Sequence, residues 1–191
     1  MQLPFFEQRT EKGINFQQHP LPKGEYEDCQ FFQCNFEGLD LSGFRFTNCL
    51  FKDCNLSLTQ VHQTAFRSVC FDSCKLLGVH FEDTNPFGLE FQFLNCQLNN
   101  SSFIGISLID SRFERCLLHQ VDFTESDLRK IHFANCDFEG AHLEHCQLQE
   151  TDFRSSFNYK LDPSQNKLKK TRFSQDGVKG LLTQFDLLIS D

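Results

Sequence analysis

The residues in this chain that could do chemistry are ten cysteines and seven histidines. Cysteines can form disulfides, ligate soft metals or act as nucleophiles, and histidines can join them around zinc. The tightest grouping is His142, His145 and Cys146. Structural zinc sites draw ligand pairs from short, convergent spacings, and no CxxC occurs here. The cysteines are set apart in multiples of five instead. Cys29, Cys34, Cys49, Cys54 and Cys74 share one phase, and Cys96, Cys116, Cys136 and Cys146 share a second, with only Cys70 outside both. The elements that carry them must impose that spacing.

Those elements are repeats of five residues. From Leu98 to Phe153 a Leu or Phe stands at every fifth position, through Phe103, Phe113, Phe123, Phe133 and Phe138. An earlier run keeps the same beat from Phe16 through Tyr26, Phe31, Phe51 and Phe71 to Phe91, interrupted at Pro86. A period of five fits neither a strand nor an amphipathic helix, so it marks an internal repeat. The phase changes between Phe91 and Leu98, which assigns two extra residues to the segment 92–97, with Phe93 already in the later phase. Two positions before each centre the chain prefers Cys, Ser, Thr or Ala, and just before the centre it prefers Asp or Asn.

This unit of small residue, Asp or Asn, Leu or Phe and two polar residues resembles the pentapeptide-repeat family, over roughly residues 16–153. The resemblance implies an all-β, right-handed quadrilateral β-helix, one pentapeptide to each side of a square coil. The expected core is Phe31, Phe51, Phe71, Phe91, Phe103, Phe113, Phe123, Phe133 and Phe153, with the small residues packed beside them. Residues twenty apart then lie one above another, stacking Cys34, Cys54 and Cys74 in one block and Cys96, Cys116 and Cys136 in the other. The cysteines become reduced core residues. His142 and His145 turn outward while Cys146 turns inward, so neither a metal nor any other cofactor is expected.

The expected organisation has three parts. Residues 1–15 form an N-terminal cap with Phe5 and Phe6 as plugs. Residues 16–153 form the rod, with a kink or bulge near 84–97 at Asn85-Pro86-Phe87-Gly88. Residues 154–191 form a C-terminal cap. There Ser174 is placed to cap a helix over 177–184, followed by a short terminal strand at Leu187, Leu188 and Ile189. The apolar residues Val178, Leu181, Leu182, Phe185, Leu187 and Ile189 need cover.

Charge is the remaining clue. Residues 16–153 hold 20 Asp and Glu against 9 Lys and Arg, whereas residues 154–191 hold 4 against 7. An acidic rod repels nucleic acid and is drawn to basic channels. Outward acids such as Glu37, Asp53, Asp72, Glu114, Glu125 and Glu139 would form that surface. The wording NPFGLEF at 85–91 is similar to the Qnr branch of the family, whose members protect DNA gyrase and topoisomerase IV and dimerise through their C-terminal segments. No long loop interrupts the coils, a departure from the plasmid-borne Qnr pattern that loopless, microcin-immunity-like relatives share. The resemblance thus implies an acidic DNA mimic that binds gyrase or topoisomerase IV, protects it from quinolones or peptide toxins, and forms a homodimer. The alternative is a general protein-interaction scaffold. No P-loop, HExxH or GxSxG is present, so no catalytic residue is assigned and no enzyme is expected. No apolar run is long enough to span a membrane and the N-terminus lacks a signal pattern, which makes the cytoplasm the expected location.

Overall fold

A computed structural model describes residues 3–185, 187 and 188. The chain winds as an all-β parallel solenoid in which residues twenty apart pair side by side. Each coil has four faces, one pentapeptide wide. The first face carries β1 (Phe5–Glu7), β3 (Glu25–Glu27), β5 (Arg45–Thr47) and β7 (Ala65–Arg67). The second carries β2 (Thr10–Lys12), β4 (Gln30–Phe32), β6 (Leu50–Lys52), β8 (Val69–Asp72), β9 (Phe91–Leu94), β10 (Arg112–Glu114) and β11 (Phe133–Ala134) in one seven-stranded sheet. The third and fourth faces are held by single bridges, such as Asn35 to Asn55 on the third and Asp122 to His142 on the fourth.

Two local devices turn the corners. The residue two past most centres lies in the left-handed region, with φ between 50° and 70° at positions such as Gln33, Asp53, Asn95, Gly105 and Asn135. That conformation costs an L-residue roughly 1–2 kcal/mol, so the ladders on either side must hold it in place. The residue before the centre explains the recurrent Asp and Asn. Its side-chain oxygen accepts the backbone N–H two residues on, at 2.7–3.2 Å, in Asn15, Asn35, Asp40, Asn55, Asn85, Asp122, Asp127, Asp137, Asp152 and Asp162. These are Asx turns. Five of the rod's 20 acidic residues therefore serve the backbone.

The axis is a stack of aromatic rings. Along the second face Phe31, Phe51, Phe71, Phe93, Phe113, Phe133, Phe153 and Phe173 follow one another at centroid spacings of 4.8–5.6 Å. The fourth face contributes Phe81, Phe103 and Phe123 at 4.6 and 5.2 Å. The two columns meet edge to face, as Phe103 does Phe113 at 5.9 Å and 80°, an arrangement the ring quadrupoles favour.

Several expectations need correction. Among the described residues the ladder already includes β1, whose Phe6 pairs with Tyr26, so the segment expected to be only a cap contributes to a first coil. Phe6 stacks on Tyr26 at 4.7 Å, whereas Phe5 is exposed and plugs nothing. At the other end, bridges from Asp137 to Phe157, Gln147 to Lys167 and Asp152 to Arg172 carry the solenoid past Phe153. The two extra residues lie before Phe91, not within 92–97: Ala65 still pairs with Asn85, while Val69 already pairs with Phe91. Phe91 consequently fills the slot two before the centre Phe93, where Val69 and Ser111 sit on the neighbouring coils. The seven-stranded sheet crosses this point without interruption, so the rod is not divided there; only the four-stranded sheet ends. The residues looped out place Phe87 in solvent at 75 % exposure, with the Arg67 guanidinium 5.5 Å from its ring.

The C-terminal helix is two 3-10 turns, Gly177–Leu181 and Thr183–Phe185. The residue that precedes the first turn is Asp176, whose side chain makes no cap bond, and Ser174 contributes instead from two residues earlier, its Oγ accepting the Gly177 N–H at 3.0 Å. Gly177 and Gly180 let this segment lie directly on Tyr159, where a Cβ at either would clash. Leu187 and Leu188 belong to no strand and are exposed. Ile189 lies outside the described residues.

One ion pair makes the last coils pH-sensitive. Arg154 forks onto Asp152 with three bonds of 2.7–3.2 Å, and its hydrogen bonds outweigh burial to lower the Asp152 pKa to about 2. A carboxyl depressed by folding stabilises the protein above its ordinary value and loses that contribution as the pH falls through the folded one. Asp152→Asn keeps the Asx turn and loses the pair. Thermal melts at pH 7 should show it destabilised on the order of 1–2 kcal/mol, discounted for the exposed arginine. Below about pH 2 the variant and the parent should melt together.

Candidate functional site

The nine cysteines of the small slot are buried, and Cys70 is partly exposed. Because the ladder continues across the insertion, Cys34, Cys54, Cys74, Cys96, Cys116 and Cys136 form one column along the third face, closed by Ser156; the two separate blocks expected from spacing are joined. Five of the six thiols in the column donate to a carbonyl of the preceding coil, for example Cys54 to Phe31 O and Cys116 to Phe93 O, both at 3.3 Å, whereas Cys136 donates to Ala134 O at 3.6 Å. Burial pushes Cys49 up to about 12 and Cys146 to about 11, and holds Cys116 well above the ordinary thiol value. Cys49, Cys116 and Cys146 are therefore neutral, inert thiols. Cys146 points inward and donates to Phe123 O at 3.1 Å, while His142 and His145 are exposed, so the three do not converge.

The acidic residues chosen from sequence are dispersed. Asp53, Asp72 and Glu114 lie on the second face, among its arginines and lysines. Lys52 holds Asp72 at 2.9 Å and lowers its pKa, and Glu114 pairs with Arg112 and Arg115. Glu37 and Glu139 lie on the third face and Glu125 on the fourth. The expected core phenylalanines are all buried. Of the capping residues, Leu181 packs against the core and Leu182 is half-buried, whereas Val178, Phe185 and Leu187 are exposed.

What the sequence reading missed is the sorting of charge by face. Taken in coils of twenty, with the shift of two at the insertion, the fourth face bears Asp40, Glu82, Asp83, Asp122, Glu125, Glu144 and Asp162, and among its described residues Lys23 is the one lysine or arginine. Five of the seven histidines, His19, His62, His80, His142 and His145, share it. The signal was present in the sequence, but only a count taken every twenty residues would have found it. On the third face His119 and Asp137 join at 2.9 Å with Glu139 nearby.

No curated protein sequence matches this chain. Among solved structures, the chain is similar to HetL, a pentapeptide repeat protein involved in heterocyst differentiation regulation from the cyanobacterium Nostoc, with TM-score 0.56 and 13% identity over 93% of this chain and 92% of that one. It is also similar to QnrB1, a plasmid-mediated fluoroquinolone resistance protein, with TM-score 0.43 and 16% identity over 96% of this chain and all of that one. At these identities the likeness to HetL speaks for the fold. The family described as pentapeptide repeats (8 copies) matches residues 29–67, and the pentapeptide repeat region matches residues 90–173. Those spans coincide with the Phe stack, the Asx turns and the twenty-residue ladder, and the chain belongs to the pentapeptide-repeat family.

Proposed function

We propose that this protein is a non-enzymatic binding rod whose fourth face docks into a basic groove of a DNA-handling protein, with DNA gyrase or topoisomerase IV as the partner to test first. The observation that carries the reading is the sorting of seven carboxylates onto one straight face with a single lysine. At a coil rise of about 4.8 Å this is about one charge per 4–5 Å, against about one per 1.7 Å of duplex. The field is weaker than that of DNA, so binding should be salt-sensitive and of modest affinity. The exposed Val178, Phe185 and Leu187 at the C-terminal end suit a two-fold homodimer that would extend the acidic face across two copies. A general scaffold for another basic partner is the second reading, because three of the seven acids (Asp40, Asp122 and Asp162) also serve Asx turns.

Those turns supply a clean variant. The combined substitution Asp40→Asn, Asp122→Asn and Asp162→Asn removes three charges and keeps every turn acceptor. In a gyrase supercoiling assay at low salt, the parent protein should alter the quinolone dose response, and the triple variant should lose most of the effect. An equal response from parent and variant would disconnect the acidic face from gyrase. No response from the parent at either of two salt concentrations would favour the scaffold reading.

A further inference from the structure

We propose that the third face holds a divalent transition-metal site made by His119, Asp137 and Glu139. The solenoid builds it by stacking. Asn99, His119 and Glu139 occupy the same position on three successive coils, joined by the backbone bonds Asn100 N to His119 O and Gln120 N to Glu139 O, both 2.9 Å. Asp137 enters the same spot from two residues before Glu139. One ligand atom from each of His119, Asp137 and Glu139 lies within 4.8 Å of the others.

The individual groups are already arranged as ligands. His119 Nε2 faces Asp137 Oδ2 at 2.9 Å. Tetrahedral ligands on bonds of about 2.1 Å stand about 3.4 Å apart, so this pair has to open by only about half an ångström to admit an ion. The other carboxylate oxygen is engaged elsewhere: Asp137 Oδ1 accepts from Asn158 Nδ2 at 2.7 Å and from the Glu139 N–H at 3.2 Å. This is the outer-shell bonding that fixes a metal-binding carboxylate and leaves one oxygen free to coordinate. An open cleft of about 360 Å³, lined by Asn99, His119, Gln120 and Glu139 among others, provides the entry path. Beside the ligands, in the lining of the same cleft, Asn99 Oδ1 is shielded from solvent and has no hydrogen-bond partner, an unusual state for a polar atom.

The donor set selects the ion. One imidazole with oxygen donors suits Zn²⁺ or Mn²⁺ better than Ca²⁺, which takes six to eight oxygens, or Mg²⁺, which keeps its waters. The site is separate from the acidic fourth face and stands whether or not that face binds a partner.

The test is calorimetric titration of the chelator-treated full-length protein with Zn²⁺ and, separately, Mn²⁺, with melting temperature read in parallel. The parent should bind one equivalent saturably and melt higher with the ion. His119→Gln and Glu139→Gln should each weaken that binding at least tenfold, while melting as the parent does in chelator. His142→Gln combined with His145→Gln controls for surface histidines and should leave the binding intact. Absence of saturable binding in the parent, retention of it in both site variants, or its loss in the surface-histidine control would each overturn the assignment.

Discussion

Phe123→Ala should destabilise the rod by about 3–5 kcal/mol, the range for emptying a fully buried aromatic position. Phe123 has no exposed surface. It stacks on Phe103 at 5.2 Å and meets the Phe113 and Phe133 rings edge-on at 6.2 and 6.1 Å. In many cores the neighbours relax into such a hole and recover part of the loss. Here the backbone is pinned on both sides, by the Phe123 N–H to His142 O at 3.0 Å and by the Phe103 N–H to Asp122 O at 2.8 Å. The cavity should therefore stay open and the cost should lie in the upper part of the range. For a domain of this size each kcal/mol shifts Tm by roughly 2–4 °C, so a fall of about 10 °C or more is expected. Because each coil leans only on its neighbours, the loss should also split the transition into flanking halves. A single transition at the parent's Tm would contradict an inward Phe123.

Gly180→Ala should detach the C-terminal cap. A Cβ at Gly180 would stand 2.0 Å from the Tyr159 carbonyl oxygen, and that atom cannot swing aside because it is backbone. Overpacking of a fixed contact costs typically 1–3 kcal/mol, which is more than a short pair of 3-10 turns can absorb, so the segment should lift. Its departure uncovers Tyr159, Leu161 and Phe173 at the rod's end. Limited proteolysis should then cut within residues 174–185 much faster than in the parent. Light scattering reads the proposed dimer in the same samples: a parent dimer should become monomer or aggregate. An unchanged dimer would remove the cap from the interface, and unchanged proteolysis would show that Tyr159 can yield. Gly177→Ala is a milder companion, since the near atom there is the Tyr159 hydroxyl at 1.7 Å, the far end of a side chain.

The distribution of acid along the chain carries two meanings that the fold separates. Asp and Asn before the centre are interchangeable as turn acceptors, so evolution can set the charge of each face without changing the coil. The second face pairs its acids with arginine and lysine, as at Asp72 with Lys52 and Asp152 with Arg154. The fourth face leaves most of its acids without such partners; Glu82 takes His80 at 3.0 Å. Net charge of the whole chain, −8 with histidine neutral, therefore understates one face and overstates another.

The sequence by itself determined the repeat, because a side chain recurring every fifth residue fits neither a strand nor a helix, and the resemblance of that repeat to the pentapeptide family implied the solenoid. It determined the core for the same reason: Phe31, Phe113 and Phe153 were legible from period alone. It determined the fate of the cysteines, since a small slot beside large rings accepts little else. Only the tertiary structure decided the register across the insertion, because Phe91 and Phe93 are both apolar and either could have been the centre; the pairing of Val69 with Phe91 chooses. The extent of the coils past Phe153 was likewise hidden, since Tyr159 fills the interior out of phase, no Leu or Phe stands at 158 or 163, and only the bridges to Lys167 and Arg172 reveal the continuing ladder. The sorting of charge onto one face and the meeting of His119, Asp137 and Glu139 lay beyond a period of five. Both depend on contacts between residues about twenty apart, which exist only once neighbouring coils are stacked.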